Sequence, residues 1–261
     1  KNFSIFCSNL NWLNVEKKIR LAKIICHSGY CSRTEAEKII KMGRVTIDNN
    51  PYLEFTISNS QIGRIKIDGK PIQKLSLKVW CFYKPKGYVC STREQYRQKS
   101  FFRILPKELP RVVSVGRLDI ESEGLLILTN SPGLANFMER PENKIERKYI
   151  VNVSGEIYGK SFDSLKNGII IKGIRYKGLT VKNLTNHKNN NVLEIKIYEG
   201  KNREIRKILS YFKLTVKLLK RISYGPFRIE KLNPGAITEI KDSKLKKYLE
   251  KIDFKDANNF R

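Results

Sequence analysis

The chain has 261 residues, 40% of them hydrophobic and 30% charged, which is room for one large and one small domain with cores of their own and too apolar for a disordered chain. Lys and Arg number 52 against 25 Asp and Glu, and the formal net charge of +27 calls for a polyanionic partner, nucleic acid first. No run approaches the ~20 apolar residues of a membrane helix, and no basic stretch carries the continuous apolar face of a membrane-surface helix, so no membrane partner is expected. The abundance of Lys, Asn and Ile is also what an AT-rich genome produces, so charge by itself leaves the partner open.

The five cysteines, Cys7, Cys26, Cys31, Cys81 and Cys90, form no CxxC pair, and the two histidines are His27 and His187. Cys26, His27 and Cys31 lie close in sequence, but they straddle a predicted helix end and lack a fourth ligand. Buried thiols in a reducing compartment are expected, and a metal site is not. Residues 1–13 make a poor signal peptide. The chain is expected to be soluble and intracellular, in a bacterial-type cytoplasm or in an organelle matrix if nuclear-encoded. It opens on Lys rather than Met, so a piece of a longer translation product is expected.

After an extension over residues 1–17, a first small domain is predicted at 18–72. Ile19, Leu21, Ala22, Ile24 and Ile25 recur at helical spacing, and Gly29 stands where a left-handed cap ends a helix. Ser32 with Glu35 three residues on is a capping-box pattern that opens a second helix, whose inner face is Ala36, Ile39 and Ile40 and whose end is Gly43. Val45 and Ile47 alternate as a short strand before the turn Asp48-Asn49-Asn50-Pro51, and Ile65 and Ile67 form another before Asp68-Gly69-Lys70-Pro71.

Along residues 17–44 the basic side chains are Lys17, Lys18, Arg20, Lys23, Arg33, Lys38, Lys41 and Arg44, against Glu35 and Glu37 alone. A solvated helix face mixes the signs, whereas a surface that grips phosphates does not, because each cation that contacts a phosphate releases condensed counterions. The stretch IRLAKIICHSGYCSRTEAEKIIKMGRVTIDNNPY resembles the S4-type RNA-binding domain across its length. That resemblance implies a small α/β RNA-binding module, with Arg20, Lys23, Arg33, Lys38, Lys41 and Arg44 as RNA contacts.

A second domain is predicted over residues 73–245, followed by a charged tail at 246–261, and the stretch after Ile240 reads as a charged terminal helix and frayed tail. Its strands are marked by Val79 to Tyr83, Gly124 to Thr129, Tyr149 to Val153 and Val192 to Tyr198; its firmest helix has Ile205, Ile208, Leu209 and Phe212 on one face. A shorter helix is expected near Phe137 to Glu139. The chain therefore reads as α+β, with a mixed, mainly antiparallel sheet in the second domain.

There is no GxGxxG, P-loop or GxSxG, and two histidines are too few for most nucleophile–base machinery. Chemistry must rest on carboxylate, Arg, Lys or Tyr. Val115-Gly116-Arg117-Leu118-Asp119-Ile120-Glu121-Ser122-Glu123-Gly124 is a glycine-bracketed loop placed directly before a buried strand, where a rigid scaffold presents a functional side chain. From pattern alone, Asp119 is equally a loop aspartate that caps a turn.

Gly116-Arg117-Leu118-Asp119 followed by Gly124-Leu125-Leu126-x-Leu128-Thr129-Asn130 is similar to the signature of the ribosomal pseudouridine synthases that carry an S4-type domain. Lys84-Pro85-x-Gly87 and Glu199-Gly200-Lys201-Asn202-Arg203-Glu204-Ile205-Arg206-Lys207 agree with it, and the resemblance covers roughly residues 18–240. It implies a cofactor-free isomerisation of uridine in ribosomal RNA, with an ionised Asp119 as nucleophile or as initiator of a glycal route. It further implies that Arg206 stands by to keep that carboxylate charged and that Tyr149, in Glu146-Arg147-Lys148-Tyr149, stacks on the target uracil. Arg117 is expected to support the RNA, and Lys201 and Arg203 to contact it. Read without the resemblance, Arg206 is an exposed charge on an amphipathic helix and Tyr149 a core tyrosine.

Two departures from the family pattern, Ser122 and Ser131-Pro132-Gly133, fall outside the implied chemistry. Within the family, residues 145–149 and the ending Pro234-Gly235-Ala236-Ile237-Thr238-Glu239-Ile240 look most like the large-subunit synthase B type. The partner implied is ribosomal RNA or a pre-ribosomal particle, met by a monomer. The alternatives are a non-catalytic, ribosome-associated S4-type RNA binder, which would explain the charge but not the Asp119, Tyr149 and Arg206 set, and a magnesium nuclease, which would need an acidic cluster richer than Asp119, Glu121 and Glu123.

Overall fold

In a computed structural model of the chain, residues 18–73, 75–91, 98–157, 161–185 and 190–254 are described, and the chain divides into two compact units between Leu75 and Ser76. The extension over 1–17 with Cys7, His187, and the last residues of the expected tail lie outside the described residues.

The first unit follows its sequence pattern closely. Helix α1 (Leu21–His27) ends at Ser28 with Gly29 at φ +77, and α2 (Arg33–Lys41) is opened by the expected capping box. The Glu35 N–H donates to Ser32 Oγ at 3.2 Å, and the Ser32 N–H to Glu35 Oε2 at 2.8 Å, so two of the orphan donors of a helix start are satisfied. Strands β1 (Val45–Ile47) and β2 (Ile65–Ile67) pair antiparallel, and Asp48 and Asn49, both left-handed, turn β1 back onto Asn50–Pro51. Leu21, Ile25, Ala36, Ile40, Val45 and Ile65, all fully buried, form the core.

The second unit is built on a mixed sheet whose strands are β3 (Val79–Lys84), β4 (Val113–Val115), β5 (Glu123–Thr129), β6 (Arg147–Ser154), β7 (Thr180–Asn183), β8 (Asn190–Ile197), β9 (Thr215–Tyr224) and β10 (Ile237–Glu239). They run in the order β7-β8-β6-β9-β5-β3-β10, with β4 on β5; Phe227–Arg228 returns along β9. Every pairing is antiparallel except β9 with β5. Strands β3 and β5 bury both faces, Cys81, Tyr83, Leu125 and Ile127 on one side and Trp80, Phe82, Leu126 and Leu128 on the other, hence their unbroken apolar runs. Strands β6 and β8 alternate, sending Tyr149, Val151, Val153, Leu193, Ile195 and Ile197 into a separate core that is closed by helix α4 (Glu204–Tyr211).

The parallel contact is the seam between these halves. There Gly124 of β5 lies in register with Arg221 of β9, and Arg221 with Tyr149 of β6. A Cβ on Gly124 would stand 2.3 Å from the Arg221 carbonyl oxygen, and Gly124 has φ +104; only glycine lets the strands meet this closely.

Strand β9 was not anticipated from the sequence, although it is central. Its Lys217, Lys220 and Arg221 interrupt the apolar pattern, and the burial of Arg221 (2% exposed) cannot be read from residue type. The short helix expected to hold Phe137 to Glu139 is α3 (Pro132–Glu139), with Ser131 Oγ accepting from the Leu134 N–H and Pro132 in the first turn. The charged terminal helix expected after Ile240 is α5 (Asp242–Lys251); it runs through the domain end drawn at 245, and Leu245 with Tyr248, Leu249, Ile252 and Phe254 packs on the core beside β3.

Candidate active site

Strand β4 delivers the chain to Gly116, left-handed at φ +68, whose N–H donates to Glu139 Oε1 at 2.8 Å. Leu118 then inserts into the core of β6 and β8, its N–H pointing to Cys90 Sγ at 3.4 Å. Asp119 follows, half-buried, in a turn closed by the Ser122 N–H on the Asp119 carbonyl at 3.0 Å. The Lys84-Pro85-x-Gly87 motif cradles this loop from behind. Lys84 Nζ, fully buried, donates to the carbonyls of Pro85 (3.1 Å), Asp119 (3.2 Å) and Ser122 (2.8 Å), and the Gly87 N–H donates to the Ile120 carbonyl at 2.7 Å. Burial pulls the Lys84 ammonium down to about 8, with the Asp119 charge among the groups that oppose it.

The loop overlooks a cleft of about 890 Å³ lined by Asp119, Arg117, Tyr149 and the segment from Glu199 to Ile205. Tyr149 reaches it from β6, 7% exposed. Arg147, two residues earlier on the same face, lies with its guanidinium 4.6 Å from the Tyr224 ring centroid, and Arg221 approaches the same ring at 5.1 Å. Arg147 Nη2 donates to Tyr224 Oη (2.6 Å), which donates to the Met138 carbonyl (2.8 Å); Arg221 Nε donates to the Leu125 carbonyl (2.7 Å). The cleft floor is thus a buried cationic cluster, which sequence reasoning missed. Its available trace was Arg147, at the same strand parity as Tyr149.

Helix α4 closes the far side. Arg203 precedes it in a left-handed conformation at φ 51 and pairs with Glu121 Oε2 at 2.8 Å. Arg206 donates to the Glu121 carbonyl (3.2 Å) and the Val216 carbonyl (3.5 Å), with Nε 4.0 Å from Glu121 Oε2. The ion pair expected between Arg206 and Asp119 is therefore corrected: the arginine grips the Asp119 loop through Glu121, two residues on, and Asp119 acts on it only at longer range. Burial draws the Arg206 guanidinium below its ordinary range, with Glu121 and Asp119 opposing.

The RNA pseudouridylate synthase family matches residues 78–211, a stretch that runs from the start of β3 to the end of α4, and the S4 domain matches residues 19–53. The chain belongs to the RNA pseudouridylate synthase family. An uncharacterized RNA pseudouridine synthase of Rickettsia felis is 43% identical over 236 residues, 87% of this chain and 99% of the relative. A ribosomal large subunit pseudouridine synthase B of Buchnera aphidicola is 32% identical over 247 residues, 91% of this chain and 99% of the relative. A crystal structure of a pseudouridylate synthase, 22% identical, shares the fold with a TM-score of 0.62 over 88% of this chain and 99% of its own. The enzyme is accordingly an isomerase, with an S4 domain ahead of its synthase domain.

Not every cation expected on the RNA is at liberty to reach it. In the synthase's S4 domain, Arg20, Arg33, Lys38 and Lys41 are exposed and Lys23 is half-buried, but Arg44 is held in a two-pronged hydrogen bond by Asp68, which Tyr30 Oη also contacts. In the synthase domain Arg117 is exposed beside Asp119, whereas the Lys201 ammonium is engaged by Glu199 and the Arg175 carbonyl, over the Tyr176 ring. Among the described residues, no group of three or more His, Cys, Asp or Glu could hold a metal ion.

Proposed function

We propose that this synthase converts one uridine of large-subunit ribosomal RNA to pseudouridine, with Asp119 as the nucleophile. The observation that carries the residue assignment is the state of the cleft's carboxylates. Glu139 accepts the Gly116 N–H, Glu199 accepts from Lys177 and Lys201, and Glu204 accepts the Lys201 N–H; among the described residues the Asp119 carboxylate has no hydrogen-bond partner, while its backbone is tied down. A rigidly mounted, uncommitted carboxylate beside a buried tyrosine suits attack on a flipped-out nucleotide. The choice of large-subunit RNA draws support from the names of the Buchnera and Bacillus subtilis relatives, both large-subunit synthases B.

In this reading the uridine leaves its stack, at a cost of a few kcal/mol, and Tyr149 stacks on the uracil while Arg117 supports the gap left behind. Asp119 displaces uracil N1 from the sugar carbon; the detached ring turns, and its C5 attacks the same carbon and displaces the carboxylate. Loss of the C5 proton and protonation of N1 complete an isomerisation with no net redox change, so no cofactor is called for. Arg206 and Arg203 hold the loop through Glu121. The reading takes the enzyme to act as a monomer on ribosomal RNA or a pre-ribosomal particle. Mapping pseudouridines in ribosomal RNA with the gene present, deleted, and restored as Asp119→Asn tests it: one large-subunit site should vanish on deletion and stay absent with the Asn variant. An unchanged map overturns it.

A further inference from the structure

We infer that Glu199 and Glu204 share a single proton, Glu204 being the acid, and that this pair is the positioning device that sets Arg203 and Arg206 against the Asp119 loop. The two carboxyls are 4% and 3% exposed and in contact with each other. Glu199 is well supplied with donors: the Lys177 N–H at 2.6 Å on Oε1, and Lys201 Nζ at 3.2 Å on Oε1 and 3.1 Å on Oε2. Glu204 accepts the Lys201 N–H on Oε2 at 3.0 Å, but its Oε1 is buried and meets no donor. Two adjacent buried carboxylates, one with an orphan oxygen, cannot both be ionised without a large desolvation and repulsion cost; one proton between them makes a charge-assisted hydrogen bond instead.

The surroundings are consistent with that assignment. The charged side chain that meets the pair is Lys201, whose ammonium also meets the Arg175 carbonyl and the Tyr176 ring; Arg147 approaches the intervening Gly200, its Nη1 3.9 Å from where a Cβ there would stand, and Arg203 and Arg206 are turned to Glu121. Burial first, and the Glu199 charge second, push Glu204 up to about 8. Burial alone would raise Glu199 too, but the Lys177 N–H, Lys201 and the proton from Glu204 together hold it below its usual range.

The pair bears on the reaction through the loop that it closes. Glu204 clasps Lys201 in both directions, carboxyl to the Lys201 N–H and its own N–H to the Lys201 carbonyl at 3.2 Å. Inside the clasp Arg203 is left-handed, and Arg206 stands two residues beyond it; both meet Glu121 in the Asp119 loop. This catalytic consequence rests on the proposed reaction at Asp119, whereas proton sharing can be measured without it.

The full-length protein and its Glu204→Gln and Glu204→Ala variants provide the test. At pH 7 the wild type should show the infrared carbonyl stretch of a protonated carboxyl, and Glu204→Gln should lack it. Because folding raises the proton affinity of Glu204, wild-type stability relative to Glu204→Gln should be greatest below about 4.5, fall as pH rises, and level off above about 8. Single-turnover rates on ribosomal RNA should fall about a hundredfold in Glu204→Ala with KM little changed, as for a displaced catalytic group, and recover in Glu204→Gln, whose amide can still donate to Glu199 and accept from Lys201. A missing infrared band together with a flat stability difference overturns the shared proton. An alanine variant as fast as wild type overturns the positioning role. If the alanine variant does not fold, failure of Glu204→Gln to sustain turnover does so instead. If the band and the slope appear but the wild type never turns over on ribosomal RNA, the pair stands and the proposed substrate falls.

Discussion

Lys84 Nζ donates to the main-chain oxygen of Asp119 at 3.2 Å, so the loop bearing the cleft's uncommitted carboxylate is fixed by a cation shut off from water. Two further carbonyls, of Pro85 and Ser122, complete its coordination. Lys84→Met keeps the length of the side chain and removes the donor, leaving three carbonyls to relax. Single-turnover rates should drop about ten- to a hundredfold with RNA affinity nearly intact, the pattern of a misplaced reacting group. The same substitution has a pH signature. Burial lowers Lys84 from 10.5 to about 8, so between these values the unfolded chain binds more protons than the folded one and wild-type stability should rise with pH. That contribution is lost as pH falls through about 8. Urea midpoints across this range should show the slope in wild type and not in Lys84→Met.

Asp119→Asn keeps the size of the side chain and removes its nucleophilicity. We expect at least a roughly thousandfold loss of isomerisation, on the scale of losing a covalent nucleophile, with RNA binding within a few-fold of wild type by filter binding. Turnover near the wild-type rate would exclude Asp119 from the chemistry.

Arg206→Lys retains charge but cannot reach the Glu121 and Val216 carbonyls together with one planar fork. Its single-turnover rate should fall about tenfold and that of Arg206→Ala about a hundredfold. Glu121→Ala, which removes the carboxylate that meets both arginines, should slow the reaction as well. Full activity in Arg206→Ala would make this arginine a bystander.

At the seam of the sheet, Gly124→Ala would drive a Cβ to 2.3 Å from the Arg221 carbonyl and force a non-glycine residue to φ +104. The strands would have to part, at a cost of about 2–4 kcal/mol. Equilibrium urea denaturation should register the loss, and the rate should fall too, since Gly124, Arg221 and Tyr149 stand in register across this line and the Asp119 loop leads directly into Gly124.

The exposed cations of the S4 domain, by contrast, should act through affinity. Deleting residues 1–72 should weaken RNA binding and flatten its salt dependence by about one unit of slope per lost phosphate contact. Lys38→Ala should take a larger share of that slope than Arg44→Ala, because Asp68 already occupies the Arg44 guanidinium. An unchanged slope after the deletion would assign all of the grip to the synthase domain.

The sequence was most legible where structure is local. The Ser32–Glu35 capping box, the Asp48-Asn49 turn, the unbroken apolar run of β5 and the inner face of α4 all depend on neighbours a few residues apart, so spacing alone revealed them. Of the Asp119, Tyr149 and Arg206 set that motif resemblance implied, Asp119 and Tyr149 line one cleft, while Arg206 meets Glu121 of the Asp119 loop. What residue order could not disclose is how the groups are shared out. Arg206 goes to Glu121 rather than to Asp119, Arg203, expected on the RNA, pairs with Glu121 as well, Lys201 is engaged by Glu199, and Arg44 is taken by Asp68. Strand β9, with Arg221 buried at its centre, was hidden because a charged residue reads as exposed until cross-strand neighbours, here the Leu125 carbonyl and the Tyr224 ring, supply its partners. Hydrophobic period and turn chemistry are properties of adjacent residues and survive in one dimension. The protonation and pairing of a charged side chain depend on the dielectric and the partners around it, and only the folded chain brings those together.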